Sequence, residues 1–144
     1  MKRTLIILAL VLATVSIVNA DDKPVTFNQL PQAAQTFINT NYPNEKVAFA
    51  TVDDDFIRPD YHVALVNGVM LQFEHNGSLE KIETRNGNIP AGIIPFQIAD
   101  IVRQYYPEAT ILEYEVGKRS YEVKLSNRIE MKFNTKFQLI ELDD

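Results

Sequence analysis

Residues 61–73 read YHVALVNGVMLQF, and this stretch decides the fold. Apolar and polar residues alternate on both sides of an Asn-Gly pair, which is typical of two antiparallel strands joined by a tight turn. A three-residue turn at 66–68 places Val63 opposite Leu71 and matches the apolar faces of the two strands. A two-residue turn would mix those faces, so the three-residue turn is predicted. Gly68 then takes the left-handed position of the turn without strain.

The same pattern recurs further along the chain. Tyr121–Leu125 aligns with Tyr61–Leu65, and Ile129–Phe133 aligns with Val69–Phe73. The place of the turn glycine is taken by Arg128, where a left-handed backbone costs about 1 kcal/mol. We therefore expect the second turn to be looser.

A helix is predicted before each hairpin, between two prolines. Pro31 and Pro95 suit a first helical turn, and Pro43 and Pro107 cannot continue a helix. Apolar residues recur between them at spacings of three and four, which predicts one buried stripe on each helix. The stripes are Leu30, Ala33, Ala34, Phe37 and Ile38, and Ile94, Ile98, Ile101, Val102 and Tyr105.

Each copy is interpreted as one helix followed by four antiparallel strands. The class is α+β, with both helices on one face of a shared sheet. The repeats are assigned to residues 21–88 and 89–144. The strands of the first copy are expected near Lys46–Val52, Tyr61–Val66, Val69–Glu74 and Leu79–Thr84, with equivalents near Thr110, Tyr121, Ile129 and Leu139.

Residues 1–20 have the pattern of a signal peptide: a basic start, an apolar run at 4–18 and a small residue at Ala20, after which cleavage is expected. The alternative is a membrane anchor, but the run is shorter than the ~20 residues that span a bilayer. Losing two basic residues leaves 12 basic against 19 acidic residues, a net charge of -7. The expected location is the periplasm, and the alternative is an extracellular one.

The composition argues against several function classes. The chain has 144 residues, no cysteine and a net charge of -5, which excludes thiol catalysis and cysteine-based metal centres and argues against nucleic acid or an anionic membrane as partner. His62 and His75 lie outside any triad or zinc-binding pattern. We therefore predict a protein that is not an enzyme and needs no cofactor.

The loop from Asp53 to Asp60 is the most concentrated anionic feature of the sequence. It lacks the glycine and the terminal glutamate of a calcium loop. A solvated loop is predicted, and weak calcium binding is the alternative.

The open face of the sheet differs between the two copies. By alternation, the side chains facing away from the helix are apolar or uncharged in the first copy and charged in the second. We predict the first set as a partner-binding patch, with the Asp53–Asp60 loop at its rim. The alternative is that these side chains are buried against the segment next to the signal peptide or against a subunit copy. The predicted residues are Phe49, His62, Met70 and Gln72, and their counterparts are Glu113, Glu122, Glu130 and Lys132.

These motifs together resemble the PepSY-like family of small periplasmic proteins, also described as β-lactamase-inhibitor-like. The first copy carries them as Leu30-Pro31, Tyr42-Pro43, Tyr61 to Gly68, Phe73 and Asn76-Gly77, and the second departs from them at Arg128 and Phe137. The resemblance implies a tandem helix-plus-four-strand fold whose sheet presents a concave face. It does not imply inhibition of a β-lactamase, because function resides in the side chains on that face.

Two functions follow as hypotheses. The first is an exported binding or inhibitory module that holds an envelope protein or peptide on the open sheet face. The alternative is a small-ligand carrier or enzyme with a pocket at the junction of the repeats. The missing catalytic pattern favours the first.

Overall fold

The computed structural model describes residues 22–53 and 57–144. The predicted signal peptide at residues 1–20 and the expected cleavage after it lie outside the described residues. So do residues 54–56 of the acidic loop.

The described residues form one antiparallel sheet of nine strands, which pair in chain order. The strands predicted near Leu79 and Leu139 are present. Eight strands were expected, and the additional one at the N-terminal edge lacks any alternation that could predict it. The strands are β1 (Asp22–Pro24), β2 (Val47–Asp53), β3 (Tyr61–Leu65), β4 (Met70–Phe73), β5 (Leu79–Glu83), β6 (Ile111–Val116), β7 (Ser120–Leu125), β8 (Glu130–Asn134) and β9 (Leu139–Asp143).

The described residues include two α-helices, α1 (Gln32–Asn41) and α2 (Phe96–Tyr105), which lie where the sequence predicts them. Pro31 and Pro95 are the N-cap residues, one position before the first helical turn. Each helix is followed by a C-cap tyrosine, Tyr42 or Tyr106, which directly precedes the second proline. The N–H of this tyrosine donates to the carbonyl four residues back at 2.8 Å. A short 3-10 helix, Phe27–Gln29, precedes α1.

The three-residue turn of the first hairpin is confirmed. Val63 pairs with Leu71, and the N–H of Leu65 donates to the carbonyl of Val69 at 2.9 Å. Gly68 has a φ of 92°.

The expectation of a looser second turn is wrong. Arg128 adopts a φ of 72°, and its N–H donates to the carbonyl of Leu125 at 3.0 Å, the distance found for Gly68 in the first turn. The reason is a shared side-chain contact: Asn127 Oδ1 accepts the N–H of Ile129 at 3.0 Å, as the asparagine of the first turn does for Val69 at 3.1 Å. The asparagine fixes the turn whichever residue follows it.

One face of the sheet carries a continuous apolar row. Directly paired residues of neighbouring strands point to the same face, and seven of them in succession are buried: Ala50, Val63, Leu71, Ile82, Tyr114, Val123 and Met131.

Both helices cover this face. One buried cluster joins the row to Ala34 and Ile38 of α1 and to Ile98 and Val102 of α2. The predicted burial is wrong for two residues of these stripes, because Ala33 is exposed and Tyr105 is 55% exposed. They lie at the edges of the helical stripe, where spacing alone does not decide burial.

The two parts of the sheet join where β5 pairs with β6. Ile82 lies opposite Tyr114. Just beyond the paired residues, Thr84 donates from its N–H and its hydroxyl to the carbonyl of Leu112 at 2.8 and 3.0 Å. No helix in the described part of the chain is long and apolar enough to cross a membrane.

Candidate functional site

The open face is the side of the sheet opposite the helices. Its side chains form two rows that cross the sheet from β2 to β9. The first row is Phe49, Ala64, Met70, Glu83, Glu113, Lys124, Glu130 and Asp143, and the second is Thr51, His62, Gln72, Lys81, Glu115, Glu122, Lys132 and Glu141.

The first row begins with three apolar residues, Phe49, Ala64 and Met70, which we call the apolar patch. Phe49 and Met70 are directly paired with Ala64 from either side, so they lie about 10 Å apart at the usual strand spacing. Phe49 is 55% exposed and Met70 is 40% exposed, whereas Ala64 is buried between them. A large apolar side chain therefore stands on each side of a small one.

His62 and Gln72 lie opposite each other in the second row, next to the apolar patch. Gln72 Nε2 donates to Asp60 Oδ2 at 3.4 Å and to Glu80 Oε2 at 3.2 Å. The structure thus brings all four predicted residues to one region of the open face. Asp60, at the end of the acidic loop, lies at the rim of this region, in contact with Gln72.

A cleft of about 460 Å³ opens beside the apolar patch. Its walls include all three patch residues and three charged residues. The sequence predicts Glu113 on the open face, but it does not predict Glu83 or Arg85 there. Alternation along β5 could have placed Glu83 on this face. Arg85 follows the strand, and only the close approach of its side chain to the β3–β4 turn places it at the cleft.

Charged residues continue the open face from β5 to β9. Lys81 Nζ lies 2.7 Å from Glu83 Oε1 and 4.0 Å from Glu113 Oε2. Lys124 Nζ lies 3.5 Å from both Glu113 Oε2 and Glu130 Oε1. Glu113 Oε2 is buried and has no hydrogen bond of normal geometry, so its charge is balanced by these two ammonium groups.

The charged forms of two carboxylates, Glu122 and Glu80, are destabilised by their surroundings. Burial, followed by the Glu130 and Glu115 carboxylates, raises the pKa of Glu122 above its ordinary value. Burial, followed by Asp60 and Glu74, raises the pKa of Glu80. Neighbouring carboxylates on this face therefore repel one another, and an additional negative charge would be unfavourable.

The described residues contain no cluster of three or more acidic or histidine side chains placed to hold a metal ion. Asp53 N–H donates to the carbonyl of Asp60 at 2.8 Å, which closes the base of the acidic loop. The solvated loop stays a prediction and weak calcium binding stays its alternative, since residues 54–56 lie outside the described ranges.

A second cleft, of about 400 Å³, lies between the linker after β5 and helix α2. Its walls are mainly apolar and include Ile89, Ile94 and Phe96. Arg103 also lines it and forms an ion pair with Asp100 on the same helix. The cleft lies beside the linker between the two predicted repeats.

In the described residues, a nine-stranded antiparallel sheet with helices on one face and an exposed patch on the other defines a small α+β protein. The chain belongs to the family described as "Putative beta-lactamase-inhibitor-like, PepSY-like", whose model matches residues 16–58 and 59–141. The family resemblance seen in the sequence is confirmed.

Solved structures from Bacteroides are similar over most of the chain. A "putative calcium-regulated periplasmic protein" from Bacteroides thetaiotaomicron is 42% identical, with a TM-score of 0.82, and the match covers 86% of this chain and 98% of that one. A "putative periplasmic protein" from Bacteroides vulgatus is 40% identical, with a TM-score of 0.81 and coverage of 88% and 100%. Another protein of that species, described as of unknown function, is 27% identical, with a TM-score of 0.80 and coverage of 85% and 99%.

These neighbours confirm the expected location, and the protein is periplasmic. A comparison with curated proteins gave no match.

Proposed function

We propose that this periplasmic protein is a binding or inhibitory module that holds a protein or peptide on the open face of its sheet. Phe49, His62, Met70 and Gln72 are the proposed contact residues. The protein acts by binding and not by catalysis.

The observation that carries the proposal is the exposure of the apolar patch beside the 460 Å³ cleft. Aromatic and methionine side chains exclude water well and are enriched in protein interfaces. The equivalent positions on β6 and β8 hold Glu113 and Glu130. The open face therefore carries exposed apolar side chains on one half and charged, solvated side chains on the other.

The part of the chain that the structure describes shows no catalytic set, which supports binding over catalysis. In the described ranges, neither His62 nor His75 hydrogen-bonds to a hydroxyl or a carboxylate through its side chain. A hydrolytic site needs a nucleophile, a base and a group that orients the base.

The proposal includes the tandem architecture. Helix α1 with β2–β5 forms one unit, and helix α2 with β6–β9 forms the other. Support comes from equivalent bulges: the pairing slips between Val47 and Phe49 in β2, and between Ile111 and Glu113 in β6. The N-terminal signal peptide is likewise proposed, on its sequence pattern.

The test is capture of a partner from envelope extract with the mature protein as bait. Phe49→Asp and Met70→Asp should each abolish capture, because a carboxylate on the patch cannot be buried by an apolar contact. Both variants should keep the unfolding free energy within about 0.5 kcal/mol, as exposed positions do. Runs with added calcium and with chelator are included, because one similar structure is described as calcium-regulated.

Ile140→Asp is the matched control. Ile140 lies on β9 and is 55% exposed, the same fraction as Phe49. If Ile140→Asp abolished capture while both patch variants retained it, the binding surface would lie near β9 and the proposed patch would be wrong.

A small-ligand carrier with its pocket at the repeat junction is the second candidate, and the 400 Å³ cleft beside α2 favours it. A fluorescent apolar probe should then bind the protein, and Ala99→Trp should block it by filling the cleft, which Ala99 lines. Unchanged probe fluorescence with the unsubstituted protein would remove this candidate.

A further inference from the structure

We propose that the partner is a cationic polypeptide segment that inserts one apolar side chain into the cleft beside the apolar patch and lays lysine or arginine residues over the acidic half of the open face. The acidic half is defined as the open-face residues of β5 to β9. This inference rests on the proposed function and names the chemistry of the partner.

The charges of the open face are distributed unevenly. Across β2 to β4 the two rows contain no charged lysine, arginine, aspartate or glutamate, whereas the acidic half carries three lysines against seven carboxylates, a net charge of -4. The lysines are Lys81, Lys124 and Lys132, and the carboxylates are Glu83, Glu113, Glu115, Glu122, Glu130, Glu141 and Asp143.

Three further charges border the face and sum to -1. Arg85 lines the cleft, and Asp60 and Glu80 both accept hydrogen bonds from Gln72. The net negative charge of the acidic half is therefore not offset at the patch.

Much of the positive charge of the acidic half is already engaged. Lys81 and Lys124 are held by Glu83, Glu113 and Glu130 at 2.7 to 4.0 Å. Within the described ranges, the remaining carboxylates form no ion pair closer than 4.0 Å, although Lys132 lies directly across from two of them. We call these carboxylates free because no ammonium or guanidinium group of the described residues pairs with them, although Glu122 hydrogen-bonds to Glu130. They are Glu115, Glu122, Glu141 and Asp143. They are available to an incoming ammonium or guanidinium group.

The free carboxylates also disfavour one another. Burial and the neighbouring Glu130 and Glu115 raise the pKa of Glu122, which means that its charged form is destabilised in the unbound protein. A cationic partner would offset the repulsion of Glu122 by Glu130 and Glu115. An acidic partner would increase it.

The acidic half has a cleft of its own that suits a basic side chain. It measures about 220 Å³ and is lined by Glu122, Glu130, Lys132, Glu141 and Asp143. Four of these five residues are acidic. The face therefore offers an apolar cleft at one end and an acidic cleft at the other.

The distance between the two clefts sets the length of the partner segment. The first cleft is centred on β4 and the second on β8, which makes four strand spacings, roughly 19 Å at ~4.8 Å each. An extended chain covers this distance in about six residues. Apolar contact at one end supplies affinity, while the charges steer the encounter and set the orientation.

The experiment is a fluorescence-anisotropy titration of the mature protein with a labelled peptide of about ten residues, one phenylalanine near one end followed by alternating lysine and serine. The comparison peptides replace every lysine with glutamate, or the phenylalanine with serine. The lysine peptide should bind, and its affinity should fall about tenfold when salt is raised from about 50 to about 200 mM, because screening weakens exposed charge pairs. The glutamate peptide should show no saturation.

Variants of the protein locate the charge effect. Glu122→Lys with Glu130→Lys should weaken binding of the lysine peptide at least about tenfold. Glu122→Gln with Glu141→Gln keeps the side-chain shapes and should weaken it about threefold, which guards against misfolding of the reversal variant. Glu45→Lys with Glu108→Lys makes the same change of net charge at exposed loop positions outside the two open-face rows, and should leave affinity within about twofold because salt screens exposed charges that do not contact the peptide.

Equal binding of the lysine and glutamate peptides would overturn the inference. The inference would also be overturned if the Glu45→Lys, Glu108→Lys variant lost as much affinity for the lysine peptide as the Glu122→Lys, Glu130→Lys variant. Equal binding of the phenylalanine and serine peptides would overturn the apolar anchor. Absence of lysine-peptide binding while envelope capture still depends on Phe49 would overturn the cationic partner and leave the proposed function standing. Peptide binding and envelope capture that both survive Phe49→Asp would overturn the proposed patch itself.

Discussion

Phe49 and Phe73 show how one residue type takes two roles in this sheet. Phe73 is fully buried and packs edge-to-face on Phe37, with ring centroids 5.5 Å apart. Phe49 is 55% exposed on the opposite face. The difference follows from strand parity, because successive side chains point to opposite faces.

Replacing either buried phenylalanine should be costly. Phe73→Ala or Phe133→Ala should lower the free energy of unfolding by about 3–5 kcal/mol, since each leaves a cavity in the core. Both residues have no exposed surface. Urea denaturation measures the loss, with Phe49→Ala as the exposed control, expected within about 0.5 kcal/mol. A loss under about 1 kcal/mol at Phe73 would mean that the face assignment is inverted.

Glu122 should make stability depend on pH. Its pKa is raised by burial and by Glu130 and Glu115, so the folded state holds the proton to higher pH than the unfolded state does. Stability from this group is therefore lost as pH rises through the window between the unfolded and the folded pKa, and stays lost at pH 7. Glu122→Gln should raise the free energy of unfolding at neutral pH by about 0.2–1 kcal/mol.

The same substitution should have less effect near pH 4, where the carboxyl is largely protonated in both states. Thermal melts at the two pH values give the comparison. Glu108→Gln, at an exposed position off the sheet, serves as the control. Destabilisation by Glu122→Gln at neutral pH would show that Glu122 is held by attraction and not by repulsion.

At the scale of elements, the two hairpins reach one turn geometry with different residues. The turn N–H groups of Gly68 and Arg128 make equivalent bonds of 3.0 Å to Leu65 and Leu125. A left-handed φ is unfavourable for any residue with a Cβ. The second hairpin therefore stores strain that the first avoids.

Arg128→Gly should release that strain and raise the free energy of unfolding by roughly 0.5–1 kcal/mol, allowing for the greater freedom of glycine in the unfolded chain. Gly68→Arg should have the opposite effect in the first turn. Chemical denaturation of both variants is the measurement. A stability loss in Arg128→Gly would show that the arginine side chain contributes more than its backbone costs.

At the scale of the whole molecule, the pairing of β5 with β6 makes one core out of two halves. One buried cluster includes residues of both helices and of β2 to β8. Ile82, fully buried on β5, lies opposite Tyr114 at the seam. The halves should therefore unfold together.

Ile82→Ala should lower the free energy of unfolding by about 2–5 kcal/mol, the usual cost of a buried isoleucine truncation. The transition should remain single. Urea curves followed by far-UV and near-UV circular dichroism should coincide in the original protein and the variant, with Ile140→Ala, exposed on β9, as a near-neutral control. Two separated transitions would contradict the shared core.

The sequence by itself determined the helices, eight of the nine strands, the turn register and the face on which each predicted site residue lies. These depend on periodicity and on prolines and glycines, which act within a few residues along the chain. Tertiary structure alone decided the pairing of Asp22–Pro24 with β2, the exposure of Tyr105 and the placement of Arg85 in the cleft that Phe49 also lines. Each of these depends on which distant segment becomes a neighbour, and local periodicity carries no information about that.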